Sequence, residues 1–221
     1  MKKRIGAFAL GIAGSLNSQK SAITASPNLP SWVGKPIKRR LERIFQARVF
    51  LENDAAMAGL GEAVLGAGRG KKIVAYLTVS TGVGGSRIVN GRIDEAMFNF
   101  EPGYQIIDFE KMTTLENLIS GTAVRRQTKI EPKDIQDSRL WESKARELAL
   151  GLRNIEVMWS PEVIVLGGSM LNKVGISLAR TRFYFNGWPK VFARKPEIRK
   201  AAFGDLSGIY GTLTFLSQQK R

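Results

Sequence analysis

Cysteine and histidine are both missing from this chain of 221 residues. Without cysteine it can form no disulfide and no thiolate metal site. Without histidine it lacks the commonest general base and the commonest transition-metal ligand, so acid–base chemistry falls to carboxylates, lysine or tyrosine. Acidic residues are also scarce, 19 Asp and Glu against 34 Lys and Arg, for a net charge of +15. That balance suits anionic partners in principle. The basic residues are dispersed, however, with small clusters only at 1–4, 35–43 and 194–200. No zinc-finger, helix-turn-helix or aromatic–basic RNA pattern accompanies them. Phosphate-backbone binding needs a concentrated stripe, so the charge reads as a solvated surface and nucleic acid is not expected as a partner. No stretch reaches the roughly 18 apolar residues of a membrane span. Met1-Lys2-Lys3-Arg4 before the apolar Ile5–Ala13 imitates a signal sequence, but it runs into Asn17-Ser18-Gln19-Lys20 without a small-residue cleavage site. A cytoplasmic protein that makes no membrane contact is expected.

The most informative stretch is Val74–Val79 followed by Ser80-Thr81-Gly82-Val83-Gly84-Gly85, then Arg87–Ile93 interrupted by Asn90-Gly91. It predicts strand, glycine turn, strand, tight turn, strand. Glycines let backbone N–H groups approach an anion, and Ser80 and Thr81 add hydroxyls. The segment alone is equally compatible with an ordinary glycine-bulged hairpin. Upstream, Glu52-Asn53-Asp54 closes the predicted strand 48–51, ahead of an Ala- and Gly-rich helix over 55–65 on which Asp54 would serve as N-cap. Further on, the strand 163–166 runs directly into Gly167-Gly168-Ser169. Helices are predicted at 37–45, 114–119, from 120 onward, at 140–158, 171–183 and 208–216. Strands are predicted at 5–13, 105–108 and 198–203, and 129–138 reads as a mobile polar loop. Strands alternating with helices indicate an α/β fold, whose ligands sit beyond the carboxyl ends of strands. Asn53-Asp54, Gly82–Gly85 and Gly167-Gly168 all fall at such ends or turns.

These motifs, taken in order, resemble the ROK family of repressors, open reading frames and sugar kinases. The resemblance runs from Ile5 to Leu216. It includes Gly11-Ile12-Ala13-Gly14, Ser26-Pro27-Asn28-Leu29, Glu52-Asn53-Asp54-Ala55, Thr78–Gly85 and Asn90-Gly91-Arg92. It continues through Glu101-Pro102-Gly103-Tyr104, Leu115-Glu116, Ser120-Gly121-Thr122-Ala123, Val163–Gly168 and Gly204-Asp205. The resemblance implies an actin-like, hexokinase-type ATPase fold. It divides the chain into an N-terminal lobe remnant over 1–53, onto which a C-terminal helix at 206–221 packs, and a C-terminal lobe over 54–205.

The implied activity is ATP-dependent phosphorylation of a hexose or N-acylhexosamine, with magnesium carried by the nucleotide. Asp54 would be the catalytic base. Asn53, Asp54, Glu101, Tyr104 and Glu116 would hold sugar hydroxyls. Ser80, Thr81, Gly82 and Gly84 would contact phosphate, and Gly167 and Gly168 would floor the adenosine. The alternative is a sugar-binding or regulatory remnant that has lost catalysis.

The sequence departs from the family pattern. Family kinases open with a hairpin carrying Asp-x-Gly-Gly-Thr, whereas Ile5 here already aligns with a later strand. A truncated N-terminal lobe with an unpaired edge on strand 5–13 is therefore expected, and that edge favours a homodimer over a monomer. The family's zinc motif is replaced, with Tyr104 in place of its histidine and Phe109–Thr113 in place of its cysteine loop, so no zinc is expected. Ala56 stands for a second asparagine, and Ser86-Arg87 for further small residues.

Overall fold

The computed structural model describes residues 5–96 and 98–219. In chain order, β1 (Ala7–Ile12), β2 (Ser15–Leu16) and β3 (Ile23–Ala25) precede α1 (Ile37–Phe45) and β4 (Arg48–Asn53). Helix α2 (Asp54–Val64) leads into β5 (Ile73–Val79), β6 (Val83–Val89) and β7 (Arg92–Ile93). Then come β8 (Ile106–Asp108), β9 (Thr113–Thr114), α3 (Leu115–Ile119), α4 (Gly121–Thr128) and α5 (Ser138–Trp159). β10 (Val163–Gly167), α6 (Leu178–Gly187), β11 (Glu197–Lys200) and α7 (Ser207–Gln218) complete the chain.

Two principal sheets result. β1 pairs in parallel with β4, from Ala7 opposite Arg48 to Ile12 opposite Asn53. Among the described residues no other strand joins them. The larger sheet has the order β11-β10-β5-β6-β7. Its β10 runs parallel to β5 and β11, while β5 and β6 form an antiparallel hairpin in register from Ile73–Val89 to Val79–Val83. The central strands β5 and β10 are almost wholly buried, which matches their unbroken apolar sequences. One face of this sheet packs on α3, α5 and α6 through Leu77, Val79, Leu115, Leu148, Leu152, Ile164 and Phe185. The other face packs on α2 and α7 through Leu60, Val74, Tyr76, Val165 and Phe215. A third cluster of Ile12, Ile23, Ile37, Val49 and Leu51 closes β1 and β4 under α1.

Helix α2 joins the two sheets and also packs against α7. The two helices meet backbone to backbone. A Cβ on Gly211 would lie 1.6 Å from the Met57 carbonyl oxygen, and one on Gly61 would lie 2.6 Å from Gly211 N. Beside this contact, the fully buried Glu62 accepts from Ala67 N (3.0 Å), Ala202 N (2.9 Å), Phe203 N (2.9 Å) and Ser207 Oγ (2.7 Å). A buried carboxylate is tolerable only with such a set of donors. Here they fix the start of α7 onto α2.

Two local expectations are corrected. Residues 171–183 are not one helix. A π-helical turn, Met170–Val174, is followed by Gly175, where a Cβ would lie 2.3 Å from the Trp141 indole. Helix α6 then starts afresh under a Ser177 cap that accepts from Arg180 N. The cap of α2 is Asn53, whose side chain accepts from Ala56 N at 3.0 Å, so Asp54 is the first helical residue and not the cap. The polar segment expected at 129–138 contains a 3-10 turn, Pro132–Asp134, and gives way to α5 at Ser138, with Asp137 as its cap.

The glycine contact predicts two opposite outcomes on one helix. Gly211→Ala forces α7 off α2 and lowers stability by about 3 kcal/mol or more. Gly208→Ala, with nothing within 4 Å of its Cβ, is neutral or stabilises by up to about 1 kcal/mol through helix propensity. Urea unfolding of both variants checks the pair.

Candidate active site

The site begins where β4 ends. Asn53 holds the β4–α2 junction with both ends of its amide, accepting from Ala56 N and donating to Gly14 O at 3.3 Å. It is 7% exposed. Asp54, one residue on, is solvent-exposed, and among the described residues its carboxylate accepts only from its own helix's Ala55 N, at 2.8 Å. The junction thus presents one free carboxylate on a rigid helix end.

Three groups from the larger sheet's side share that space. Glu101 precedes the 3-10 turn Pro102–Tyr104, and Glu116 lies in the first turn of α3, which Thr114 caps. Partial burial, followed by the charges of Glu116 and Asp54, raises the Glu101 carboxyl above its ordinary range. Tyr104 is likewise raised, first by desolvation and then by Glu116 and Glu101. The charges of Asp54 and Glu116 thus reach Glu101, and those of Glu116 and Glu101 reach Tyr104. Carboxylates that act on one another, with no cation among the causes of these shifts, suit a ligand rich in hydroxyl donors. Behind them, burial pushes the Tyr76 phenol up to about 12, with Glu62 and Asp54 adding to the effect.

Next to this acidic wall lies the turn between β5 and β6. Glu116 Oε2 accepts from Val83 N at 2.8 Å, and a Cβ on Gly82 would lie 2.7 Å from the same oxygen. Ser80 N donates to Gly82 O at 2.8 Å, while Gly121 N and Thr122 N donate to Ser80 O and Thr81 O at 2.7 and 3.2 Å. With Ser120 Oγ accepting from Ala123 N, the first N–H groups of α4 are spent on the protein. Anion donors must therefore come from elsewhere. Among the described residues, the N–H groups of Thr81 and Gly82 donate to no protein acceptor. The hydroxyls of Ser80 and Ser169 meet at 3.0 Å.

The turn opens on a cleft of about 260 Å³ lined by Ser80, Thr81, Gly121, Thr122, Arg125, Glu131, Lys133, Ser169, Met170 and Val174. Arg125 pairs with Glu131 at 3.4 Å on its rim. Gly168 has φ +97°, and a Cβ there would lie 2.2 Å from Val79 O. Only glycine allows β10 to turn this tightly beside the β5–β6 loop. Gly167 and Gly168 do not line the cleft, whereas the next two residues, Ser169 and Met170, do. Gly84 sits against Ala55, where a Cβ would be 3.2 Å away, so it brings the hairpin close to α2.

The ROK family model matches residues 1–219. The chain belongs to the ROK family. It is 32% identical over 126 residues to a glucokinase of Thermotoga maritima, covering 53% of this chain and 40% of that protein. It spans less than two thirds of the length of the first curated relatives it matches. A ROK hexokinase from Thermus thermophilus superposes with a TM-score of 0.79 at 30% identity, over 96% of this chain and 79% of that one. A ROK family glucokinase from Streptomyces griseus, solved with glucose and AMPPNP, gives 0.82 at 21% identity, over 99% and 83%. These matches give the ROK chain the actin-like ATPase fold of the family's sugar kinases. Among its described residues no helix is long and apolar enough to cross a membrane, and no cluster of three or more Asp, Glu, His or Cys is arranged for a metal.

No site role for Arg125, Thr122, Lys133 or Ser169 is read from the sequence, although Thr122 and Ser169 lie within its motifs. The adjacency of Ser169 to Gly168 and the basic α4 following the 80–82 loop were the available signals.

Glu101 is held in a position that disfavours its charge. A carboxyl raised in the folded state loses stability for the fold as pH rises through that raised value, because ionisation is harder in the fold than in the unfolded chain. Glu101→Gln should therefore melt at a higher temperature than the parent at pH 7, with the gap narrowing toward pH 4. Thermal melts at both pH values check the sign.

Proposed function

We propose that this protein is an ATP-dependent sugar kinase acting on a hexose or N-acylhexosamine hydroxyl. The observation that carries the reading is a free carboxylate, Asp54, on a capped helix end. Its charge acts on Glu101, which also feels Glu116, and Glu116 in turn is bonded to the Ser80–Val83 turn at the mouth of a polar cleft. The acidic wall and the donor-rich cleft meet at that one side chain. This arrangement supports an acceptor site rich in carboxylates beside an anion site rich in hydroxyls.

The residues fit a nucleotide. The cleft offers the open N–H groups of Thr81 and Gly82, the hydroxyls of Ser80, Thr81, Thr122 and Ser169, and the cations Arg125 and Lys133. When bound, ATP with its magnesium supplies the transferable γ-phosphoryl group and neutralises charge on it. The chain's own work is positioning and proton transfer. Glu101, Tyr104 and Glu116 orient the acceptor hydroxyls. Asp54 accepts the proton of the attacking hydroxyl as its oxygen bonds to the γ-phosphorus and the bond to the β-phosphate oxygen breaks. Asn53 acts through Asp54, since the junction it caps sets where that carboxylate points. The glucose and AMPPNP bound by the Streptomyces griseus relative are in keeping with this pair of ligands.

Asp54→Asn preserves shape and removes the base, so kcat falls by about 10²–10⁴ while sugar KM changes little. ATP-dependent phosphorylation of glucose, fructose, N-acetylglucosamine and N-acetylmannosamine by both proteins checks this. Turnover that disappears in the variant supports the kinase. No turnover with sugar binding intact by calorimetry supports the catalytically impaired, sugar-binding alternative and overturns the assignment.

A further inference from the structure

Glu116 acts on both halves of the site, through its charge on Glu101 and Tyr104 and through a hydrogen bond to the β5–β6 turn. Its Oε2 is committed to Val83 N at 2.8 Å, while among the described residues its Oε1 makes no hydrogen bond. Val83 is the first residue of β6 after the Ser80–Gly82 turn, and the carbonyls of Ser80 and Thr81 in that turn receive N–H groups from α4. Glu116 and α4 stand on one continuous piece of chain, since α3 ends at Ile119 and Ser120 caps α4. The turn is therefore clamped from two sides by the α3–α4 segment, through the Glu116 carboxylate and through the α4 N–H groups.

We infer that Glu116 is a positioning residue that couples the two substrates: an acceptor hydroxyl bound at Oε1 fixes the carboxylate, Oε2 holds Val83 N–H in place, and the Ser80–Gly82 turn is set for the phosphoryl donor. This rests on the kinase reading. The coupling is reciprocal by linkage, so the donor must tighten acceptor binding by the same factor. A carboxylate can do this because it has two acceptor oxygens on a rigid plane, and fixing one orients the other. The sterics at Gly82 supply an independent handle. A Cβ there would lie 2.7 Å from Glu116 Oε2 and 3.5 Å from its carboxyl carbon. Gly82→Ala would thus displace the carboxylate without altering any charge, at a residue whose φ lies outside the left-handed region.

The test is calorimetric titration of Mg–AMPPNP with and without saturating glucose, or whichever panel sugar turns over fastest. Each protein is read as its own ratio of affinities, so a uniform loss of binding does not count. In the parent the sugar should tighten the analogue about tenfold. Gly82→Ala and Glu116→Ala should bring the ratio close to one. Glu116→Gln, which keeps one oxygen for Val83 N–H, should retain an intermediate ratio. A structural role for the Glu116–Val83 bond would instead lower affinity and melting temperature while leaving the ratio unchanged, and that would overturn the coupling. So would a parent that binds sugar and analogue independently, in which case the kinase reading survives. If neither ligand binds the parent, both readings fall together.

Discussion

Helix α2 has to lie against two sheets and a second helix at once, and the rest of the molecule is arranged around that requirement. Its sequence, DAAMAGLGEAV, spends six of eleven positions on alanine and glycine. Ala55 admits the β6 hairpin at Gly84, Gly59 lies against Tyr76 and Ser86, and Gly61 meets Gly211 of α7. Large side chains at any of these positions would separate the sheets by ångströms, because close-packed interiors do not absorb added volume cheaply. The one buried charge on the helix, Glu62, is satisfied by donors from the segment that leads into α7. The C-terminal helix is thereby joined to the element whose first residue is Asp54.

A rigid α2 explains why the base can sit in the open. Asp54 needs no network to hold it, because Asn53 caps the helix and Gly14 anchors Asn53. The opposite wall is built differently. Glu101 and Glu116 come from loops and a five-residue helix, and their mutual repulsion is held in place by the surrounding fold. Folded proteins accept such local cost where ligands supply the missing partners. The β5–β6 turn lies between the two walls. Its polar groups are partly spent on α4 and Glu116, and those left open face the cleft.

Much of this was legible in the sequence. β-Branched runs ending in glycine located β5, β6 and β10, and the ordered motifs placed Asn53, Asp54, Ser80–Gly82 and Gly167-Gly168 at strand ends. The misreadings have physical causes. Asn53 and Asp54 are both good caps, and the choice between them depends on where β4 stops, which its pairing with β1 decides. The segment from Leu171 to Phe183 is apolar and helical in period, but the break at Gly175 is imposed by Trp141, which is distant in sequence. The Glu62 hub and the Glu116–Val83 bond are contacts between remote segments and leave no local pattern. A lone glutamate in an alanine- and glycine-rich helix was the only trace of the first.

The account's central claim is that Asp54 and the Ser80–Gly82 turn serve one reaction. A crystal structure of this chain with a hexose and Mg–AMPPNP tests that claim most directly. The account predicts one sugar hydroxyl within hydrogen-bond reach of Asp54, with the γ-phosphate in line beyond it and held at the Thr81 and Gly82 N–H groups. A sugar whose hydroxyls all point away from Asp54, or a nucleotide seated away from that turn, would contradict it.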